Sequence, residues 1–293
     1  MDFKIQKISI GEELFPIALK QIKNPPQELY YAGKLLTEEN CIAVVGARSC
    51  SKYGEEACLK IGTELAENGI TIVSGLARGI DSFAHSAATK ADKRTIAVLG
   101  TSLDEKNFYP KENLILAKNI INNNGLLLSE HPPGVKTRPY DFSLRNRLIA
   151  GLSLGVVVVE AKEKSGSLIT AEYGREQGKK IFAVPGSIFS KNSLGCHKLI
   201  KNGAILAENA DDILKSVLPN YLPLNYKSGK EVKGDTPEEE IILSALKEEA
   251  LHIEDIIRKS NMPAGEAMAL ISLLEIKNKI IDLGENMYCL NRK

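Results

Sequence analysis

The chain has 293 residues, of which 43% are hydrophobic and 26% are charged, and its formal net charge is +1. This length favours two domains, and the composition is typical of a globular protein rather than of a disordered one. No apolar stretch approaches the roughly 20 residues that a membrane-spanning helix needs, and the first residues do not resemble a signal peptide. We therefore expect a cytoplasmic protein without a membrane partner.

Cysteine and histidine usage gives no indication of a metal site. Five cysteines and four histidines are scattered along the chain, without a C-x-x-C pair and without the ligand spacing of a zinc site. The odd number of cysteines is typical of reduced thiols in a cytosol. We therefore expect no bound metal.

Residues 41–218 alternate short β-branched runs with longer helical patterns, which predicts a sheet built from βαβ units. Near-continuous apolar content indicates strands that are covered by helices on both faces. The fold class is therefore predicted to be α/β, with a Rossmann-like, doubly wound, mainly parallel sheet. The predicted strands are residues 42–45, 71–73, 95–99, 126–128, 156–159 and 180–184.

A linker and a small C-terminal domain follow the sheet domain. Residues 219–235 combine prolines and glycines with charges, which is typical of a linker. Thr236 and Pro237 then form a helix start, with proline at the first helical position. Two more helices, at 252–260 and 263–277, precede a hairpin of residues 280–283 and 287–290. Three helices and a hairpin predict a winged-helix domain over residues 236–293.

Charge is unevenly divided between these domains. Residues 236–293 hold seven basic and eleven acidic residues, so they carry −4 and the first 235 residues carry +5. A polyanion is therefore expected to bind to the first 235 residues. The third helix of the winged-helix domain contains Glu266 and Glu275, and no basic residue precedes Lys277. We expect this domain to bind a protein partner or support a dimer rather than to enter a DNA groove.

Two loops after neighbouring strands pair glycines with an arginine where a helix begins. Residues 46–54 and 74–81 present backbone N–H groups, hydroxyls and a cation to a phosphate. Neither loop has the G-x-G-x-x-G spacing of dinucleotide binders or a Walker A motif, so neither NAD binding nor ATP hydrolysis is expected and no cofactor is predicted. The phosphate-contacting residues expected here are Gly46, Arg48, Ser74, Arg78 and Gly79, joined by Thr101 and Ser102 after the next strand.

A third motif, residues 142–147, leads into a predicted helix. Arg145 and Arg147 lie about 200° apart around that helix, so we expect one to bind phosphate and the other to support the fold. Phe142 is placed to stack on an unpaired base or to pack in the core. Asn146 between the arginines completes the motif.

A fourth motif, Ser165, Gly166 and Ser167, stands before another helix, where hydroxyls and an open helix N-terminus form an anion site. Because the carboxyl ends of parallel strands share one edge of the sheet, the four motifs form a row. A long phosphate polymer is the expected ligand.

Together these residues resemble the DprA/Smf family of DNA-processing proteins. The match includes V-V-G-A-R at residues 44–48, S-G-L-A-R-G-I-D at 74–81, A-V-L-G-T at 97–101, R-N-R-L-I-A-G-L-S at 145–153 and S-G-S-L-I-T-A at 165–171. Residues 1–40 are similar to the lead-in segment that packs on the family's sheet domain. We therefore do not expect this sequence to include the helical N-terminal domain of many relatives, and Ser143 stands where proline is usual.

The resemblance implies a non-enzymatic protein that binds single-stranded DNA, forms a homodimer and loads the RecA recombinase in natural transformation. Two other interpretations remain open. A phosphoribohydrolase of the LOG type uses a similar loop followed by an acidic residue, as Glu172 follows Ser167, but the P-G-G-x-G-T pattern is absent. A Mg²⁺-dependent nuclease would use Asp141, Glu160 and Lys162.

Overall fold

The computed structural model describes residues 3–218, 221, 232–247, 250–282, 284 and 286–291. The chain forms two compact units, Met1–Val217 and Leu218–Lys293. Most of the predicted linker, at 219–235, lies outside the described residues. Within the described part of the chain, no helix has the length and apolar character needed to cross a membrane.

The first unit contains a nine-stranded sheet within its described residues, flanked by helices. The strands are β1 (Gln6–Ser9), β2 (Glu28–Gly33), β3 (Cys41–Val45), β4 (Thr71–Ser74), β5 (Thr95–Leu99), β6 (Leu126–Ser129), β7 (Gly155–Val158), β8 (Lys180–Ala183) and β9 (Ile205–Leu206). The helices are α1 (Ile17–Lys20), α2 (Lys52–Glu67), α3 (Ile80–Lys90), α4 (Leu114–Asn122), α5 (Pro139–Leu152), α6 (Gly166–Glu176), α7 (Leu194–Lys201) and α8 (Ala210–Val217).

The strand order is β1-β2-β6-β5-β4-β3-β7-β8-β9. The strands β6, β5, β4, β3, β7, β8 and β9, which are neighbours in this order, are parallel. The chain starts this parallel part at β3, moves outward to β6, and then returns to place β7 on the other side of β3. The predicted Rossmann-like, doubly wound sheet is therefore confirmed. In such sheets the crevice where the strand order reverses, here between the carboxyl ends of β3 and β7, is the usual ligand site.

The central strands consist of buried apolar residues because helices cover both faces. Every residue of β3, β5 and β7 is buried, as expected for parallel strands in this architecture. Serines begin the two helices beside the reversal point. The Ser51 hydroxyl accepts a hydrogen bond from the Gly54 N–H at α2, and the Ser165 hydroxyl accepts one from the Ser167 N–H at α6.

The sheet extends further than the sequence predicted. Residues 1–40 contribute strands β1 and β2, which pair antiparallel with each other, and β2 pairs antiparallel with β6. This segment was expected only to pack on the sheet domain, but its backbone completes one edge of the sheet. The sequence signal for β2 is weak, because Leu29 and Ala32 are buried while Tyr30 and Tyr31 between them are both half-buried. The strand therefore shows no regular alternation of buried and exposed residues.

The second unit is a winged helix, as predicted. It contains α9 (Pro237–Ala245), β10 (Leu251–His252), α10 (Ile253–Ser260), α11 (Ala264–Ile276), β11 (Ile280–Asp282) and β12 (Met287–Leu290), with strand order β10-β12-β11. Ile242, Ile271 and Leu274 lie in its apolar core. Residues 283 and 285 of the predicted hairpin lie outside the described residues.

Candidate functional site

A cavity of about 450 Å³ lies where the strand order reverses. Its walls are the loop after β3, the loop after β7 and the first half of α5, which come from distant parts of the sequence. Eight of the residues singled out in the sequence line it: Gly46, Arg48, Phe142, Arg145, Asn146, Ser165, Gly166 and Ser167.

The loop after β3 requires glycine at its first position. A Cβ atom on Gly46 would lie 2.7 Å from the Ile80 side chain and 2.9 Å from the Glu160 carbonyl oxygen, closer than side-chain carbons approach other atoms. The next residues carry Arg48 out to solvent, where its guanidinium carbon lies 5.9 Å from the centroid of the Phe142 ring. This distance is typical of a cation–π contact.

Glu160, just after β7, holds the two loops together. Its buried carboxylate accepts hydrogen bonds from the Ser51 N–H at 2.8 Å, from the Ser51 hydroxyl at 2.6 Å and from the Asn192 amide at 3.3 Å. Asp141, the second carboxylate of the nuclease interpretation, accepts the Arg138 N–H at 2.7 Å at the start of α5. Within the described residues no three His, Cys, Asp or Glu side chains are grouped to hold a metal ion.

Arg145 forms the buried floor of the cavity. It is 6% exposed and donates hydrogen bonds to the carbonyl oxygens of Gly75, at 2.8 Å, and of Val98. Burial lowers its pKa to about 10, and the charge of Asp81 partly opposes this shift. Burial likewise raises the pKa of Asp81, whose carboxylate accepts the Gly75 N–H at 3.1 Å. Arg145 thus supplies a fixed positive charge beneath the site.

The loop before α6 offers hydroxyls and an open helix N-terminus. The hydroxyls of Ser165 and Ser167 lie 2.8 Å apart, and the Asn146 amide donates to the Gly166 carbonyl oxygen at 3.3 Å. Asn146 therefore positions this loop against α5. Two exposed lysines also line the cavity: Lys162, which the sequence suggested only for the nuclease interpretation, and Lys164, which it did not suggest at all. Lysines of this kind give no sequence signal because exposed lysines occur throughout the chain.

A second cavity of about 550 Å³ adjoins Arg48 and Phe142 on the same edge of the sheet. It contains Thr101 and Thr137, whose buried hydroxyl oxygens have no hydrogen-bond partner. Lys136 and Arg138 add positive charge to its wall. Because Arg48 and Phe142 line both cavities, they stand between them.

Arg78 and Gly79 lie beside the main cavity rather than in it. Arg78 is exposed, forms an ion pair with Glu112 and lines a smaller cavity of about 130 Å³ that also contains Arg48 and Phe142. Gly79 caps α3 with φ +74°, and a Cβ atom there would collide with the backbone of Ala47 and Arg48. Its backbone conformation and packing therefore account for the glycine.

Ser74 and Ser102 are buried and engaged within the protein. The Ser74 hydroxyl donates to the Val44 carbonyl oxygen at 2.6 Å, and the Ser102 hydroxyl donates to the Val135 carbonyl oxygen at 3.4 Å. Ser74 thereby joins β4 to β3 across the sheet. Neither serine lines the cavities that contain Arg48.

The structure separates Arg147 from Arg145. Both terminal nitrogens of Arg147 donate to the Glu130 carboxylate at 2.6 Å, so the pair is bidentate. Arg147 lines a different cavity, with Lys23 and Lys179. This placement agrees with the expectation that one arginine of the motif supports the fold, and it points to Arg147.

The reversal point thus combines exposed cations, backbone N–H groups, hydroxyls and a half-buried aromatic ring. Arg48, Lys162 and Lys164 are suited to phosphates, and the Phe142 ring is suited to stacking. The site contains no activated nucleophile among the residues described, since Glu160 is held by three hydrogen bonds and the serines bond to each other. These groups are suited to binding an anionic ligand that has a flat ring.

Comparison with family models gives two matches. The model described as DNA recombination-mediator protein A matches residues 6–218, and the DprA winged helix domain matches residues 229–285. Among individual proteins, DNA processing protein DprA of Streptococcus pneumoniae is 47% identical over 212 residues, which are 72% of this chain and 74% of that protein. Protein Smf of Escherichia coli is 37% identical over 276 residues, covering 92% and 73% of the two chains.

Two solved structures also resemble this chain. The structure of DprA from Streptococcus pneumoniae has a TM-score of 0.69 at 44% identity and covers 74% of this chain and 75% of its own. DNA processing protein A from Helicobacter pylori, whose structure concerns its single-stranded DNA binding mode, has a TM-score of 0.66 at 31% identity. That match covers 75% of this chain and 98% of the other.

Proposed function

The chain belongs to the DprA/Smf family of DNA recombination-mediator proteins, and we propose that it binds single-stranded DNA, protects it, and loads the RecA recombinase onto it in natural transformation and recombination. The proposed protein acts in the cytoplasm as a homodimer and is not an enzyme. Single-stranded DNA binding is described for the similar protein of Helicobacter pylori, and the site of this chain provides the chemistry that such binding needs.

The observation that carries the proposal is the position of Phe142 between two cavities lined by cations. A single strand offers both unpaired bases for stacking and phosphates at regular intervals. We propose that Arg48, Lys162 and Lys164 contact phosphates while Phe142 stacks on a base. The Ser165 to Ser167 loop then completes the groove with hydroxyls and the N–H groups of α6.

Arg145 contributes to this site in a different way from Arg48. Because its guanidinium already donates to Gly75 and Val98, it is available mainly as a buried charge that attracts the strand. We therefore leave Ser74, Ser102 and Arg147 out of the DNA contacts and keep Arg78 and Thr101 as contacts at the adjoining cavities. Gly46 and Gly79 act through backbone shape.

The enzymatic alternatives have less support than binding. Glu160 is fully used in joining two loops, so it is poorly available for Mg²⁺. Glu172, the acidic residue of the phosphoribohydrolase interpretation, is exposed and pairs with Arg175 on the surface of α6. Incubation with Mg²⁺ and labelled DNA, and separately with AMP, tests both alternatives, because either product would require a catalytic function.

The decisive experiment compares the affinity of the full chain for oligo-dT and for a duplex of equal length, by fluorescence anisotropy at several salt concentrations. We expect preference for oligo-dT, weakening as salt rises. Arg48→Ala should lower the salt slope by about 0.7 for each lost phosphate contact. Arg175→Ala, an exposed arginine on α6 paired with Glu172, is the matched control and should leave the slope unchanged. No affinity for oligo-dT at low salt would overturn the proposal.

Homodimer formation has its own support in unit 1. Ile188 is 76% exposed, Phe189 is 91% exposed and Leu194 is 43% exposed, and they lie within one short stretch of the chain. Adjacent exposed apolar residues of this size are typical of a protein–protein contact. Light scattering of the wild type and of Phe189→Asp tests this contact, and we expect the variant to be monomeric.

RecA loading has its own test. The rate of RecA filament formation is measured on single strands already coated with protein, once in the presence of this chain and once in its absence.

A further inference from the structure

Unit 1 contains another cavity beside helix α1, separate from the proposed DNA site. Its volume is about 420 Å³, within the range of roughly 300–1,000 Å³ that small-molecule sites occupy. Helices α1, α5 and α6 contribute to its wall, and no described residue lines both this cavity and one that contains Arg48. We name it the α1 cavity, and its wall includes Ile22, Lys23, Arg147, Tyr173, Gln177 and Lys179.

Two polar atoms at the wall of the α1 cavity are buried without a hydrogen-bond partner among the described residues: Arg147 Nε and Gln177 Oε1. The two terminal nitrogens of Arg147, which is 7% exposed, already donate to Glu130. The Gln177 amide nitrogen donates to the Arg147 carbonyl oxygen at 3.1 Å. Buried polar atoms in folded proteins are nearly always paired. One unpaired donor and one unpaired acceptor in the same wall therefore indicate a ligand that offers both an acceptor and a donor.

The charges of the wall suit a small anion. Lys23 is exposed and Lys179 is half-buried, and neither forms an ion pair within the part of the chain that the structure describes. Burial lowers the pKa of Lys179, because removal from water disfavours the charged form, and a nearby anion opposes this effect. With the Arg147–Glu130 pair counted as neutral, the two lysines and the exposed Glu176 leave one positive charge. This charge suits a ligand with one or two negative charges rather than a long polyanion.

The apolar part of the wall suits a flat ring. Tyr173 on α6 is half-buried and packs against the core of unit 1, and Ile22 is 7% exposed. Aromatic rings pack favourably on other flat rings. A nucleobase combines such a ring with a donor and an acceptor that are neighbours on its Watson–Crick edge. A sugar phosphate and an inorganic anion both lack the ring, so a nucleotide matches more of these features than either.

We propose that the α1 cavity binds a free nucleoside monophosphate. Lys23 and Lys179 hold the phosphate, and Tyr173 packs on the base. The edge of the base pairs with Arg147 Nε and Gln177 Oε1. Each of the four bases has a neighbouring donor and acceptor on this edge, so the site recognises nucleotides as a class. It goes beyond the proposed DNA binding and does not depend on it, because its wall shares no described residue with the main cavity.

Isothermal titration calorimetry tests whether base and phosphate are both recognised. The full chain carries Arg48→Ala and Phe142→Ala, which weaken binding at the proposed DNA site, and is titrated with dAMP, dCMP, dGMP and dTMP. At least one of them should bind tenfold or more tightly than inorganic phosphate and than its own nucleoside. No binding by any of the four, or equal affinity for inorganic phosphate, would overturn the proposal. A 5′-phosphorylated oligo-dT that displaced dTMP at a lower concentration than dTMP itself would assign the cavity to a strand end and also contradict the proposal.

A variant of the cavity wall locates the site. In the same background, Lys179→Met should weaken binding of the tightest nucleotide at least fivefold, because it removes the charge and keeps most of the side-chain length. Lys20→Met, at an exposed lysine on α1 outside the cavity, is the matched control and should have no effect. Circular dichroism of both variants verifies folding. With native Arg48 and Phe142, Lys179→Met should leave the affinity for oligo-dT unchanged, so a failure of DNA binding is measured separately. Equal nucleotide affinities of the two lysine variants would place the nucleotide elsewhere, and the proposal would be wrong.

Discussion

Arg48 and Phe142 form a contact between two parts of the site that are far apart in the sequence, with the guanidinium carbon 5.9 Å from the ring centroid. Tyr109 meets the same ring edge-on, with the centroids 5.8 Å apart. The contact joins the loop after β3 to helix α5. Arg48 therefore has two roles in the proposed function, because it orients the Phe142 ring and carries charge to the strand.

Phe142→Ala should weaken oligo-dT binding by about 1–3 kcal/mol, the contribution of stacking on one base. The salt slope should stay nearly constant, because no phosphate contact is lost. Fluorescence anisotropy across a salt series measures both quantities. Tyr140→Ala, at a 68% exposed ring two residues away and outside the cavities described, is the control. A fall in the salt slope equal to that of Arg48→Ala would contradict the assigned role.

Lys164→Ala should lower the salt slope of oligo-dT binding by about 0.7, as expected for one phosphate contact. Lys164 is exposed and lines the main cavity, although its sequence position gave no reason to select it. Lys201→Ala removes another exposed lysine, at the end of α7, and should leave the slope unchanged. Identical slopes for the two variants would show that the strand does not pass the loop before α6.

Arg147→Met should destabilise the protein without changing the salt slope of DNA binding. The change leaves the Glu130 carboxylate without its bidentate partner. Loss of one member of a buried pair lowers the free energy of unfolding by about 3 kcal/mol or more. We expect a loss near about 3 kcal/mol, because Glu130 is 23% exposed. Urea unfolding measures the effect. Arg175→Met breaks an exposed pair with Glu172 and should cost at most about 1 kcal/mol. A stable Arg147→Met variant with a lower salt slope would instead place Arg147 in contact with DNA.

His85 should make the sheet unit less stable in acid. Its Nδ1 lies 2.8 Å from the Thr95 hydroxyl, which donates to the Ile72 carbonyl oxygen, so Nδ1 carries the proton and donates. Burial, helped by the charge of Arg145, lowers the pKa of His85 to about 3 from 6.5. The unfolded chain thus binds a proton at higher pH than the folded one. Stability is unaffected above about pH 6.5 and falls by up to about 1.4 kcal/mol per pH unit as the pH decreases towards 3.

Urea unfolding of the wild type and of His85→Asn at pH 7, 6 and 5 measures this dependence. Asparagine keeps a donor for Thr95 and does not titrate, so the variant should lose less stability between pH 7 and 5. Both proteins share every other titratable group, which makes the difference between their slopes specific to His85. Parallel slopes would contradict the lowered pKa.

The sequence was sufficient for six of the parallel strands, β3 to β8, and for the winged helix, but it did not predict the short parallel strand β9. Runs such as Val156 to Val159 and Thr95 to Leu99 predict buried strands because both faces of a parallel sheet must be apolar. The antiparallel edge was missed, since Leu29 to Ala32 shows no regular alternation and its pairing with β6 depends on a strand almost a hundred residues away. A local pattern carries no information about such a partner.

The sequence also indicated that the glycine- and serine-rich loops share one edge of the sheet, because the carboxyl ends of parallel strands must lie together. Only the tertiary structure decided which side chains face the cavity. Arg145 and Arg147 differ by two positions on one helix, but one turns under the cavity and the other towards Glu130. Lys162 and Lys164 join the site through the path of a loop that Glu160 anchors. Periodicity is a local property of the chain, whereas the direction of a charged side chain depends on partners that only folding brings near.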